Sequence, residues 1–216
     1  MKPDYEKYEG LISGDGNPRW SQSFYYNGYD PKTRSGVFIR IGVLENQRET
    51  NSWLIVFQDG SPIFTRTNLN LPYTEERPAN GINVAGMHVH AEVPLKKTRI
   101  KFESQDFSLD LCWDELHPME DCIAMSHDKD GSFASEIAHI HLEGVSNVSG
   151  HWMHRGNRTD FDGKGFRDIA AGPRNWDALR HYRLAWPVFE NGMALAGIHG
   201  ISTAGQSAYM RMFHDG

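Results

Sequence analysis

Gly163-Lys-Gly-Phe-Arg-Asp-Ile-Ala-Ala-Gly-Pro-Arg-Asn-Trp176 joins turn signals to charged and aromatic residues in a single run. Asp162-Gly163 is a hairpin-turn pair, because glycine accepts the positive φ that such turns demand. The chain is therefore expected to turn there and enter a strand carrying Arg167 and Asp168. It would leave that strand at Gly172-Pro173, which cannot continue inside a sheet. The strand and its exit hold two arginines, an aspartate and a tryptophan. Such a set serves either as an ion-pair clamp or as a carboxylate held for proton transfer beside a substrate-binding arginine.

The same punctuation recurs along the chain. Asn-Gly or Asp-Gly pairs begin at Asp15, Asn27, Asp59, Asn80, Asp130, Asp162 and Asn191. Most lie between runs rich in β-branched and aromatic residues, the pattern of an antiparallel meander. No helical period is sustained, although 175–184 could hold a short helix. The expected class is all-β, a lipocalin-like antiparallel barrel or packed sheets. Residues 1–19 read as an extended arm, 20–113 as a first β unit and 132–216 as a second. A polar loop at 114–131 links them, as a boundary or a lid. Residues 69–79, with two prolines, read as a loop.

The 216 residues suffice for one large domain or two small fused ones. A net charge of −6 without a basic run argues against nucleic acid and anionic membranes as partners. Neither an apolar signal core nor a membrane-length run occurs, so a cytoplasmic protein without membrane insertion is expected. Cys112 and Cys122 then read as free thiols.

Strand arithmetic isolates a second feature. In 87–92, His88, His90 and Glu92 share a face; in 138–143, His139, His141 and Glu143 do the same. Repeated His-x-His-x-Glu can be two polar strand faces, a cupin-like metal site, or a cavity wall of acids and bases near neutral pH. His199 ends a strand in Gly197-Ile-His-Gly200, a setting for an accessible imidazole. His117, His127 and His214 read as solvated.

The 163–176 stretch resembles the Gly-x-Gly-x-x-Asp-His-x-Trp-Gly-x-Arg signature of the carotenoid hydratase (hydroxyneurosporene synthase) superfamily of double-lipocalin proteins, which kievitone hydratase and fungal Diels–Alderases resemble. The match rests on Gly163, Gly165, Asp168, Gly172 and Arg174, with a Pro-Arg-x-Trp ending at 173–176. It departs at Ile169 and Ala171, where the signature has His and Trp. Looser echoes are Tyr25-Tyr26, Asp30-Pro31, Arg40-Ile41-Gly42, the Glu92-Val-Pro-Leu-Lys element and His141-Leu-Glu143. Members of that superfamily continue further, which implies a second barrel that is abbreviated, completed by a homodimer partner, or absent here.

The resemblance implies a cofactor-independent acid/base enzyme of hydratase, lyase, isomerase or cyclase type. Its substrate would be a small hydrophobic, terpenoid-like molecule. Asp168 is the candidate acid, or the group orienting His141 or His139; Glu143 lies on the same face as those histidines, and Arg174 holds a substrate oxygen. Arginines close to Asp168 would lower its pKa and favour the orienting role. Trp176, Arg167, Trp152, Tyr25, His88, His90 and His199 are candidate substrate contacts, the aromatic rings through cation–π stabilisation. Two alternatives stand beside it: a lipocalin-type carrier of an apolar ligand, and a cupin-like metalloenzyme. No metal ligand set and no cofactor is assigned in the first reading.

Overall fold

A computed structural model describes residues 4–73, 76, 78–125, 138–203 and 205–213. His127, His214 and positions 126–131 of the expected loop lie outside the described residues. Among the described residues, fourteen strands form two antiparallel sheets, as the all-β reading expects. The large, strongly curled sheet runs β4 (Ser61–Pro72), β3 (Glu49–Gln58), β2 (Ser35–Leu44), β1 (Trp20–Asp30), β11 (Asn157–Pro173), β10 (Ile140–His154), β8 (Phe107–Glu115), β7 (Lys97–Glu103), β6 (Met87–Val93) and β5 (Gly81–Val84). The two-residue β9 (Glu120–Asp121) pairs with β10 and leads into α1 (Cys122–Met125). The small sheet is β12 (Leu179–Ala185), β13 (Ala194–Ser202) and β14 (Gly205–Phe213). Among the described residues, no helix is long and apolar enough to cross a membrane.

Alternation sets the layers. In β1, Phe24 and Tyr26 enter the interior of the curled sheet, as do Ile39 and Ile41 of β2 and Leu54 and Val56 of β3. Trp113 and Trp152 fill the same interior, and Tyr5, Tyr8, Leu11 and Ile12 of the N-terminal arm pack against it. This interior is a hydrophobic core. The opposite residues of these strands, Tyr25, Arg40 and Trp53, look outward towards the small sheet.

Several expectations are corrected. Asp162-Gly163 is not a turn: both residues lie within β11, and the hairpin is made by Arg155 and Gly156 at φ 50° and 81°. Gly163 serves close packing instead, since a Cβ there would sit 2.2 Å from the Tyr29 carbonyl oxygen. The element boundaries shift too. Residues expected to be loop in 69–72 finish β4, an edge strand that accepts Pro62 and Pro72. The candidate helix at 175–184 is one 3-10 turn, Trp176–Ala178, followed by β12.

Candidate functional site

Antiparallel register lines up one row of outward side chains. Trp53 opposes Arg40, Arg40 opposes Tyr25, Tyr25 opposes Asp168, and Asp168 opposes Glu143. Two residues further along β10, His141 shares the face of Glu143 by strand periodicity. Trp53, Arg40, Tyr25, Asp168 and His141 floor a cavity of about 820 Å³ between the two sheets, with Glu143 behind His141. Its other walls are Ser23, Asn27 and Phe38 from β1 and β2, Arg174 and Trp176 from the β11 exit, and Leu179, Tyr182, Leu184, Trp186 and Ile198. Tyr25 stacks edge-on to Phe38, with centroids 5.0 Å apart, and lies 5.8 Å from Trp186. The lining is chiefly apolar, and its polar groups converge on the floor.

At that floor, His141 Nε2 lies 3.7 Å from Asp168 Oδ2 and 3.7 Å from Glu143 Oε1. Burial works against a charged imidazole here. The Cys122 sulfur and the Asp168 carboxylate outweigh it and push the His141 pKa up to about 10. The direction favours the imidazolium form of His141. Burial drives the Tyr25 pKa upward against a hydrogen bond donated by Asn27 Nδ2 at 3.0 Å, so the phenol keeps its proton. The Cys122 thiol donates to the His141 carbonyl at 3.1 Å, and both cysteines are free. Cys122, His141 and Glu143 also bring three potential metal-ligand atoms within 4.8 Å of one another.

The cavity gathers His141, Asp168, Arg174, Trp176 and Tyr25 from the residues singled out in the sequence, with Glu143 at its floor behind His141. Others fall elsewhere. Arg167 is fully buried on the opposite face of β11, because residues one apart on a strand point to opposite sides. There its Nη atoms donate to Glu9 at 2.9 and 3.1 Å and its Nε to Glu115 at 2.6 Å. The Arg–Asp–Arg clamp is thereby replaced by a Glu9–Arg167–Glu115 triad across the interior. Trp152 belongs to the core against Phe161. His139 is exposed before β10, edge-on to Trp20. His199 alternates with Ile198, which is the β13 residue that lines the cavity.

His88 and His90 are exposed on β6, where Glu92 is engaged by Lys97 and Arg99. Two strands, β7 and β8, separate β6 from β10. The two His-x-His-x-Glu segments are thus about 14 Å apart at sheet spacing and do not form one metal site.

Arg40, Asn51, Trp53, Tyr182 and Trp186 are cavity residues that the sequence reading passed over. Arg40 carried a signal, being the one charge in the apolar strand Val37–Val43. The positions that depart from the signature, Ile169 and Ala171, are buried in the interior core. Their identity leaves the cavity wall unchanged.

A family model described as "Domain of unknown function (DUF7064)" matches residues 13–216. No curated protein matches the sequence. Among solved structures, a Nitrosomonas europaea protein assigned as an AttH superposes with a TM-score of 0.73 at 13% identity, over 98% of this chain and 69% of its own. CghA in complex with Sch210972 gives 0.62 at 9%, covering 95% and 63%. Kievitone hydratase from Nectria haematococca gives 0.59 at 8%, covering 94% and 65%. At these identities the likeness is one of fold, and the chain spans about two thirds of each relative.

Proposed function

The chain belongs to the DUF7064 family of domains of unknown function, and on that premise we propose that it is an acid/base enzyme of hydratase, lyase or isomerase type acting on a small hydrophobic molecule. The observation that carries this reading is the His141–Asp168 pair at the polar end of an apolar cavity. A proton donor and a proton acceptor are held side by side, partly shielded from solvent.

In the proposed reaction the His141 imidazolium donates a proton to a carbon or a leaving oxygen of the substrate. The Asp168 carboxylate removes a proton from carbon, or from the water that adds. Glu143 holds the imidazolium from its other side, and Arg174 faces a substrate oxygen. Arg174 and Arg40 make the cavity unfavourable for a bare carbocation and favourable for developing negative charge, so an enolate-like course suits this wall. Support for hydratase-type chemistry also comes from the fold shared with kievitone hydratase, and for a bound small molecule from CghA, whose structure holds Sch210972.

Purified protein incubated in D₂O with unsaturated and hydroxylated carbonyl compounds tests this reading by mass spectrometry. Deuterium at carbon, or gain or loss of water, is expected, and His141→Gln and Asp168→Asn are expected to lower it by about 10²- to 10⁴-fold. Ligands recovered unchanged throughout, or variants with full turnover, would leave only carriage.

A further inference from the structure

We infer that the molecule taken by this cavity bears a carboxylate, clamped between Arg40 and Arg174. The inference rests on the proposed reading of the cavity as the substrate site and adds the chemical class of the substrate's polar end.

Both guanidiniums line the cavity, one from the middle of β2 and one from the exit of β11. Among the described residues, neither is paired with a carboxylate within 4.0 Å. Arg40 Nη1 donates to the neutral Asn51 Oδ1 at 2.5 Å, and its guanidinium lies 5.2 Å from the Trp53 ring. Arg174 Nη2 donates to Ser23 Oγ at 2.8 Å, and its guanidinium lies 5.2 Å from the Trp176 ring. Arg174 Nε is buried and has no hydrogen-bond partner among the described residues. Space for this arrangement is built in: a Cβ on Gly42 would stand 2.6 Å from Asn51 Oδ1 and 2.9 Å from Arg40 Nη1.

The partners are informative. Asn51 and Ser23 fix the two side chains without neutralising them, and the aromatic rings hold them from the side. Burial disfavours both cations, pushing the Arg174 pKa down to about 10 and lowering that of Arg40. Surface arginines elsewhere in the chain, such as Arg99 with Asp110 and Arg158 with Asp160, meet carboxylates. Among the residues that line it, the cavity holds two arginines against the single carboxylate of Asp168, with Glu143 behind His141, so it presents positive charge at its arginine end. It does so within a protein of net charge −6. Such a cavity selects an anion, and a guanidinium with free donors is shaped for a carboxylate. The apolar wall takes the remainder of the molecule.

Matched ligand pairs test the inference. Decanoate against decanamide, and 3-phenylpropanoate against 3-phenylpropanamide, are titrated into the purified chain at neutral pH and read by calorimetry and tryptophan fluorescence. The acids are expected to bind on the order of 10- to 100-fold more tightly than the amides, the difference carried by charged hydrogen bonds. Arg40→Gln and Arg174→Gln are each expected to remove most of that preference, Arg174→Lys to keep part of it, and the remote Arg99→Gln to keep all of it. Circular dichroism confirms that each variant is folded. Equal binding of acids and amides, no binding of either acid, or a preference that survives both glutamine variants would overturn the clamp. Acid-selective binding without turnover would refute the acid/base reading and leave the clamp standing. Turnover of neutral compounds without acid preference would do the reverse.

Discussion

His141 of β10 and Asp168 of β11 meet across adjacent strands, with Nε2 and Oδ2 3.7 Å apart at the floor of the cavity. The contact is diagonal in register: Asp168 opposes Glu143, and His141 opposes Ala170. One imidazole thus faces two acidic side chains. Asp168→Asn keeps the shape and removes a charge, so the His141 pKa should fall from its raised position. Histidine Cε1 proton shifts followed through a pH titration measure this, and an unchanged midpoint would detach the two residues.

The same pair sets a pH dependence of stability. The folded His141 pKa lies near 10 against an ordinary 6.5, so the folded state binds this proton more tightly than the unfolded chain does. Stability from this group is fully present below about pH 6.5 and is lost as pH rises towards 10. Thermal unfolding of the wild type should show this decline, and His141→Asn should flatten it.

Arg167 predicts a different phenotype from its neighbour. Arg167→Met leaves Glu9 and Glu115 facing each other in the interior, and breaking a buried pair in this way costs about 3–5 kcal/mol. Urea denaturation should show that loss, or the variant should fail to fold. Asp168→Asn should lose activity and lower the urea midpoint less than Arg167→Met does, because the His141–Asp168 pair lies at a cavity wall and not inside the core. Equal midpoints for the two variants would contradict the assignment of opposite faces.

The hairpin correction is testable with two glycines. Gly156→Ala places a Cβ in open space and meets only the cost of positive φ, about 1–2 kcal/mol. Gly163→Ala drives its Cβ against the Tyr29 carbonyl and should cost more, because the strands must separate. Unfolding midpoints rank the two, and the opposite ranking would return the turn to residue 163.

An oxyanion clamp also implies salt dependence. If Arg40 and Arg174 bind a carboxylate, affinity for decanoate should weaken only modestly between low and physiological salt, because shielded charges are screened less than exposed ones. Calorimetry at two ionic strengths reads it; a steep fall would move the binding to the surface.

Strand period and the two faces it creates follow from the order of residues alone. The recurring glycine pairs between β-branched and aromatic runs made an all-β protein legible, and period two placed His141 beside Glu143 and away from Leu142. Asp168 and Arg174 were legible through the resemblance of 163–176 to a known signature. Local pattern could not say which strand lies beside which, because register and sheet order are set by long-range pairing. That pairing put β11 between β1 and β10, which joined Asp168 to Tyr25 and Glu143. It left β6 two strands away, with His88 and His90 at the surface. It also decided which face is core: Arg167 and Asp168 are adjacent in sequence, yet the curl of the sheet gives one to the interior and the other to the cavity. A strand has two sides, and only the tertiary structure says what covers each.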